Sequence, residues 1–109
     1  MRTFYVYIMA SKAGVLYTGV TSRLEGRTLE HKAGMHEGFS KKYLVHSLVY
    51  YESFGEPLAA IARETQIKKY SRRKKVALID SMNSAWADLA ADWFDIEEVE
   101  KVRKENYSR

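Results

Sequence analysis

The chain has 109 residues, 46% of them hydrophobic, which suits one compact domain (1–109) that needs neither disulfides nor metals to hold its core. Cysteine is absent, excluding thiol catalysis, cysteine-ligated zinc and a disulfide framework. The net charge of +4 conceals a division: before Ala85 there are 14 Lys and Arg against 7 Asp and Glu, and from there on 4 against 7, so a +7 body of the kind that meets polyanions precedes a −3 segment.

Residues 4–9 and 15–21 are rich in β-branched and aromatic side chains, and Ser11-Lys12-Ala13-Gly14 between them supplies turn chemistry, so the pattern predicts an antiparallel hairpin. Alternation puts Tyr5, Tyr7 and Met9 on one face of the first strand and Val15, Tyr17 and Gly19 on one face of the second, a tyrosine cluster if the faces coincide. The chain thus enters a strand at once, without the basic start and apolar core of a signal peptide, and no apolar run approaches membrane-spanning length. A soluble cytoplasmic protein without a membrane partner is the expectation.

Ser22 followed by Glu25 reads as a capping box opening a helix that Gly34 ends. Arg27 and His31 share one face of it, Leu24 and Thr28 offer a packing side, and Gly26 costs the helix about 1 kcal/mol. Residues 35–42 read as a loop, and the apolar run over 43–54 as a third strand starting near His46 and covered on both faces. Pro57 suits the first turn of a helix over 57–70 whose apolar stripe would be Leu58, Ile61, Ala62 and Thr65, with Ala60 and Ile67 close beside it and Glu64 at its border. Ser71 is positioned to cap a further helix through Val76, Ile79 and Met82, ending at Asn83. Trp86, Leu89, Ala90 and Trp93 recur at helical spacing, and Asp95 could cap a last helix with Ile96, Val99 and Val102 inward, fraying from Arg103. Residues 86–109 therefore form an acidic, helical C-terminal segment.

Tyr7, Tyr17, Arg27, His31, Glu64 and Asn83 are the polar residues that carry chemistry, yet no P-loop, dinucleotide glycine pattern or zinc-spaced histidine pair links them. Read alone, they are strand aromatics, a helix face, a partner for Lys68 and a helix end. Taken in order, however, Tyr5-Val6-Tyr7, Leu16-Tyr17-Thr18-Gly19, Arg27 with His31 one turn later, and Ala62-Arg63-Glu64-Thr65-Gln66-Ile67-Lys68 resemble the successive motifs of a GIY-YIG nuclease domain, in particular the small stand-alone bacterial ones. Tyr5 and Val6 stand where the namesake tripeptide has Gly and Ile, and Thr18 where the second has Ile, while both motif tyrosines remain.

The resemblance implies an α+β fold, an α/β sandwich whose central three-stranded antiparallel sheet is flanked by helices. It also implies hydrolysis of phosphodiester bonds in DNA, with RNA left open, by an endonuclease holding one Mg²⁺ or Mn²⁺. Glu64 would be the metal ligand, Arg27 would stabilise charge on the phosphate, and Tyr17 or Tyr7 would orient or deprotonate the attacking water. His31 would relay that proton and Asn83 would position a water or phosphate. Lys41, Lys42, Lys68, Lys69, Arg72, Arg73, Lys74 and Lys75 become candidate backbone contacts, which supply affinity without sequence choice. No base-reading appendage is recognisable, so recognition would be of DNA structure, or come from a homodimer or a partner protein. Two other functions compete: a nucleic-acid-binding module of this fold with little or no catalysis, and an interaction scaffold using residues 86–102.

Overall fold

The computed structural model describes residues 2–34 and 44–107, the side chains of 106 and 107 excepted. Its elements in chain order are β1 (Phe4–Ala10), β2 (Leu16–Thr21), α1 (Leu24–Lys32), β3 (Ser47–Phe54), α2 (Pro57–Lys68), α3 (Arg72–Met82) and α4 (Ile96–Tyr107). The three strands form one antiparallel sheet in the order β2-β1-β3, the α+β arrangement expected. The loop expected over 35–42, with Lys41 and Lys42, lies outside the described residues. Among those described, no helix is long and apolar enough to cross a membrane.

The predicted turn joins β1 to β2: the Ser11 amide donates to Val15 O at 2.9 Å, and Gly14 takes φ +87°, which a side chain would oppose. Register then fixes the faces. Tyr7 lies opposite Gly19 and Met9 opposite Tyr17 on β2, while Tyr7 lies opposite Tyr51 and Ile8 opposite Tyr50 on β3. A bulge between Ile8 and Met9 lets Val49 be the extra residue of β3. Since β1 is central, its alternate residues feed two cores. Val6, Ile8 and Ala10 pack with Ala60, Ile67 and Ile79 of α2 and α3, and Tyr7 and Met9 with Leu24, Leu48 and Ala90 on the α1 side.

The face that α2 buries differs from the one its apolar stripe suggests. Ala60 and Ile67 are the buried positions, whereas Leu58 is 78% and Ile61 48% exposed. The small Ala60 lets the helix approach the sheet, and Arg63 turns inward because β3 offers Glu52. Its Nε and Nη2 donate to both carboxylate oxygens of Glu52 at 2.9–3.1 Å, and Nη1 donates to Gln66 Oε1 at 2.6 Å and to Tyr70 Oη at 3.2 Å. The Tyr50 hydroxyl also donates to Glu52; burial first, then that carboxylate, push its phenol up to about 12. Arg63→Ala is expected to destabilise the fold by about 2 kcal/mol, measured by urea denaturation, because it strands a half-buried carboxylate.

Ser71 caps α3 as predicted, its hydroxyl accepting from Lys74 N at 3.3 Å. The Ser22–Glu25 capping box does not form. The N-cap residue is Arg23, with no side-chain cap bond, and its own amide donates to Thr21 Oγ1 at 2.9 Å. Residues 86–93 do not form the helix their spacing predicts, because Asn83 and Asp88 hydrogen-bond the backbone that a helix would need. Asp88 Oδ1 accepts from the amides of Leu48 and Ala90, both at 3.0 Å, its Oδ2 pairs with Lys32, and the Leu89 amide donates to Leu48 O at 2.8 Å. Asp95 caps α4 as expected, accepting from Glu98 N at 2.7 Å. That helix continues to Tyr107, past the fraying expected from Arg103, and leaves Ile96 exposed rather than inward.

Candidate active site

Tyr7 and Tyr17 come from adjacent strands and are diagonal neighbours on one sheet face, their rings 6.2 Å apart. Helix α1 crosses that face because Leu24, Thr28 and His31 recur on one side of it and are buried. His31, fully buried, sets its ring 4.8 Å from that of Tyr17 and 5.6 Å from that of Tyr7, with Nε2 2.9 Å from the Tyr7 hydroxyl. One turn earlier, Arg27 keeps 34% of its side chain exposed, and its Nε lies 3.5 Å from Glu30 Oε2.

Burial, then the neighbouring Tyr17, push the Tyr7 phenol far above its ordinary value, and Arg27 opposes this without prevailing. That favours the neutral phenol at Tyr7, whose hydroxyl can donate to His31 Nε2 when the imidazole carries its proton on Nδ1.

Gly19, placed by alternation on the face of Tyr17 but given no role there, is part of the site. A Cβ there would stand 2.6 Å from the Tyr7 hydroxyl and 2.7 Å from Cζ, so the phenol ring occupies the space above a residue that must lack a side chain. The signal lay in the strand register, which sets Gly19 opposite Tyr7. Glu30, on the same helix, pairs with Arg27 at 3.5 Å and with Arg23 at 3.4 Å.

Glu64 belongs to α2, on the other sheet face from His31. Ala60 and Ile67 mark the line along which α2 meets the sheet, and Arg63 and Glu64 flank that line on opposite sides. Arg63 reaches β3, so Glu64 lies on the flank toward β2, the outer strand that carries Tyr17 on its far face. The Glu64 side chain is 16% exposed and pairs with Lys68 at 3.4 Å. Among the described residues no three His, Asp or Glu cluster as a metal cage. A lone carboxylate of this kind suits a hard cation that keeps most of its waters and shares a phosphate oxygen.

Asn83 stands apart from the tyrosine cluster. Its Nδ2 donates to Val49 O at 3.1 Å and Ala87 O at 2.8 Å, and its Oδ1 accepts from Ala87 N at 3.0 Å, which gives it the work of holding the end of α3 to β3. Lys68, Lys69, Arg72, Arg73 and Lys74 are exposed and Lys75 half-buried along the α2–α3 junction. Arg72 Nη2 comes to 3.0 Å from where Gly14 would carry a Cβ, so this basic ridge reaches the β1–β2 turn.

A three-stranded sheet that presents paired tyrosines to a helical arginine and histidine, with a carboxylate from a second helix at its edge, defines a known class. The chain belongs to the GIY-YIG family: residues 3–77 match the GIY-YIG catalytic domain, a fold of nucleases. It is 39% identical over 80 residues to a UPF0213 protein of Staphylococcus haemolyticus, covering 73% of this chain and 98% of the relative. A UPF0213 protein of Haloquadratum walsbyi is 40% identical over 76 residues, 70% of this chain and 85% of that one. The solution NMR structure of a UPF0213 protein from Bacillus halodurans is similar with a TM-score of 0.53 and 27% identity, covering 83% of this chain and 97% of that chain. These relatives are small single-domain proteins whose names state no activity.

Proposed function

We propose that the chain is a divalent-metal-dependent endonuclease that hydrolyses phosphodiester bonds in DNA, and that the β2 edge is where the phosphate sits. What supports this reading is the contact of Tyr7, Tyr17 and His31 on one sheet face, with Arg27 one helical turn from His31 and Glu64 on the flank of α2 away from Arg63. Arg27 forks onto a nonbridging phosphate oxygen and stabilises the charge that grows there. Tyr17 orients the attacking water and takes its proton while its own phenolic proton passes to His31 Nε2, and the Tyr7 hydroxyl then turns from donor to acceptor and holds the imidazolium in place. Glu64 would hold the Mg²⁺ or Mn²⁺, which when bound would polarise the phosphate and stabilise the leaving oxygen. The ridge of Lys68, Lys69, Arg72, Arg73, Lys74 and Lys75 contacts the DNA backbone without reading sequence, which favours selection by DNA structure. Asn83 contributes by keeping α3 in place.

The test is cleavage of supercoiled and branched DNA with Mg²⁺ or Mn²⁺. Glu64→Ala and Arg27→Ala are each expected to lower the rate by about 10²-fold or more. A wild-type protein that cleaves no better than these variants ends the proposal. The Lys68–Glu64 ion pair favours a second reading, a binding module with little catalysis, since the metal must displace the lysine. Salt-dependent DNA binding without metal-dependent cleavage would select it.

A further inference from the structure

We infer that the cleft between the start of α1 and the rings of Tyr5, Tyr51 and Trp93 is a stacking subsite for one unpaired base of a single-stranded nucleic acid. The inference rests on the nuclease reading and deepens it, because it makes an unpaired strand beside the cut a part of the substrate.

The cleft has a volume of about 430 Å³, of the size that takes small organic groups. Its aromatic walls come from three separate parts of the chain. Tyr5 of β1 and Tyr51 of β3 meet edge to face at 6.2 Å, both half-buried, and Trp93 arrives from the C-terminal segment, beyond the family match. Aromatic walls accept any base, since each base has a π-face, and single-strand sites pair such walls with positive charge.

The charge is at the floor. No side chain caps α1, so its first-turn amides remain for an anion, and Arg23 beside them is 63% exposed. Gly26, otherwise a poor choice inside a helix, finds its reason here. A Cβ at that position would stand 3.2 Å from Arg23 Nη1, so glycine makes room for the guanidinium to lie against the first turn. Glu25 is the acidic member of the lining and offers an acceptor to an exocyclic amine.

The cleft adjoins the tyrosine cluster. Tyr5 is on the same face as Tyr7, two residues away, Tyr51 is the partner of Tyr7 across the sheet, and Arg27 follows Gly26 directly. A strand whose phosphate lies on Arg27 therefore leads its neighbouring base toward Trp93.

The chain has two tryptophans, so in Trp86→Phe the emission is that of Trp93 alone. Titration with a short oligothymidylate is expected to quench it saturably, and the same oligomer made abasic to bind about tenfold more weakly without quenching. Trp93→Ala is expected to lose a similar factor for oligothymidylate, and Trp93→Phe to recover most of it. Equal affinity for the abasic oligomer, or oligothymidylate bound without quenching, overturns the subsite while duplex binding and cleavage by the wild type keep the nuclease reading. Absence of binding to both single strands and duplex overturns the two together.

Discussion

Gly19→Ala is expected to lower the melting temperature by roughly 10 °C, a loss of about 2 kcal/mol, and to slow DNA cleavage by about 10²-fold. The new methyl would stand 2.6–2.9 Å from three atoms of the Tyr7 ring. That ring is 1% exposed and held on another side by His31 at 2.9 Å, so it cannot swing into solvent as a flexible side chain would. Either the ring must move, which breaks the Tyr7–His31 contact, or β2 must, which carries Tyr17 away from both. Calorimetry and a cleavage assay on the same preparation check both effects. Adding Tyr7→Leu removes the atoms that collide, so the double variant should be less destabilised than the two single changes summed. A Gly19→Ala protein that melts and cleaves like the wild type would show that Tyr7 is not seated over Gly19.

Asn83→Ala is expected to cost about 3 kcal/mol, because one truncation removes three hydrogen bonds and leaves two carbonyls and an amide unsatisfied. The side chain belongs to a residue only 8% exposed, so water does not readily replace it. Denaturant unfolding measures the loss. Cleavage assayed well below the melting temperature then separates holding from chemistry. A decrease no larger than the unfolded fraction agrees with holding, and a 10²-fold decrease in fully folded protein would return Asn83 to the reaction itself.

Much of this fold is legible in the sequence where a signal is local. Alternation gave the strands, Gly14 the turn, Pro57 the start of α2, and Ser71 and Asp95 their caps, because each depends on residues within one turn of chain. The misses share the opposite property. The apolar stripe of α2 faces outward because Arg63 finds Glu52 eleven residues earlier, on a strand the helix itself cannot specify. The helical spacing of residues 86–93 yields to bonds from Asn83 and Asp88 that reach back to Val49 and Leu48. Ser22 and Glu25 lose their box to Thr21, a competitor at the end of the preceding strand. In the candidate site, the residue types were readable from their order along the chain, and the separation of Glu64 and His31 onto different sheet faces was not. That separation follows from how α2 is turned, which the sequence pattern misassigned.

The alternation of β1 carries a consequence for evolution. Neighbouring positions along one strand answer to unrelated demands, Val6 and Ile8 to the core under α2 and α3 and Tyr7 to the tyrosine–histidine cluster on the other face. A slip of one position in pairing would exchange phenol for aliphatic along the strand, so a mispaired chain forfeits its core and its candidate site at once. Selection on either trait alone would therefore also guard the other.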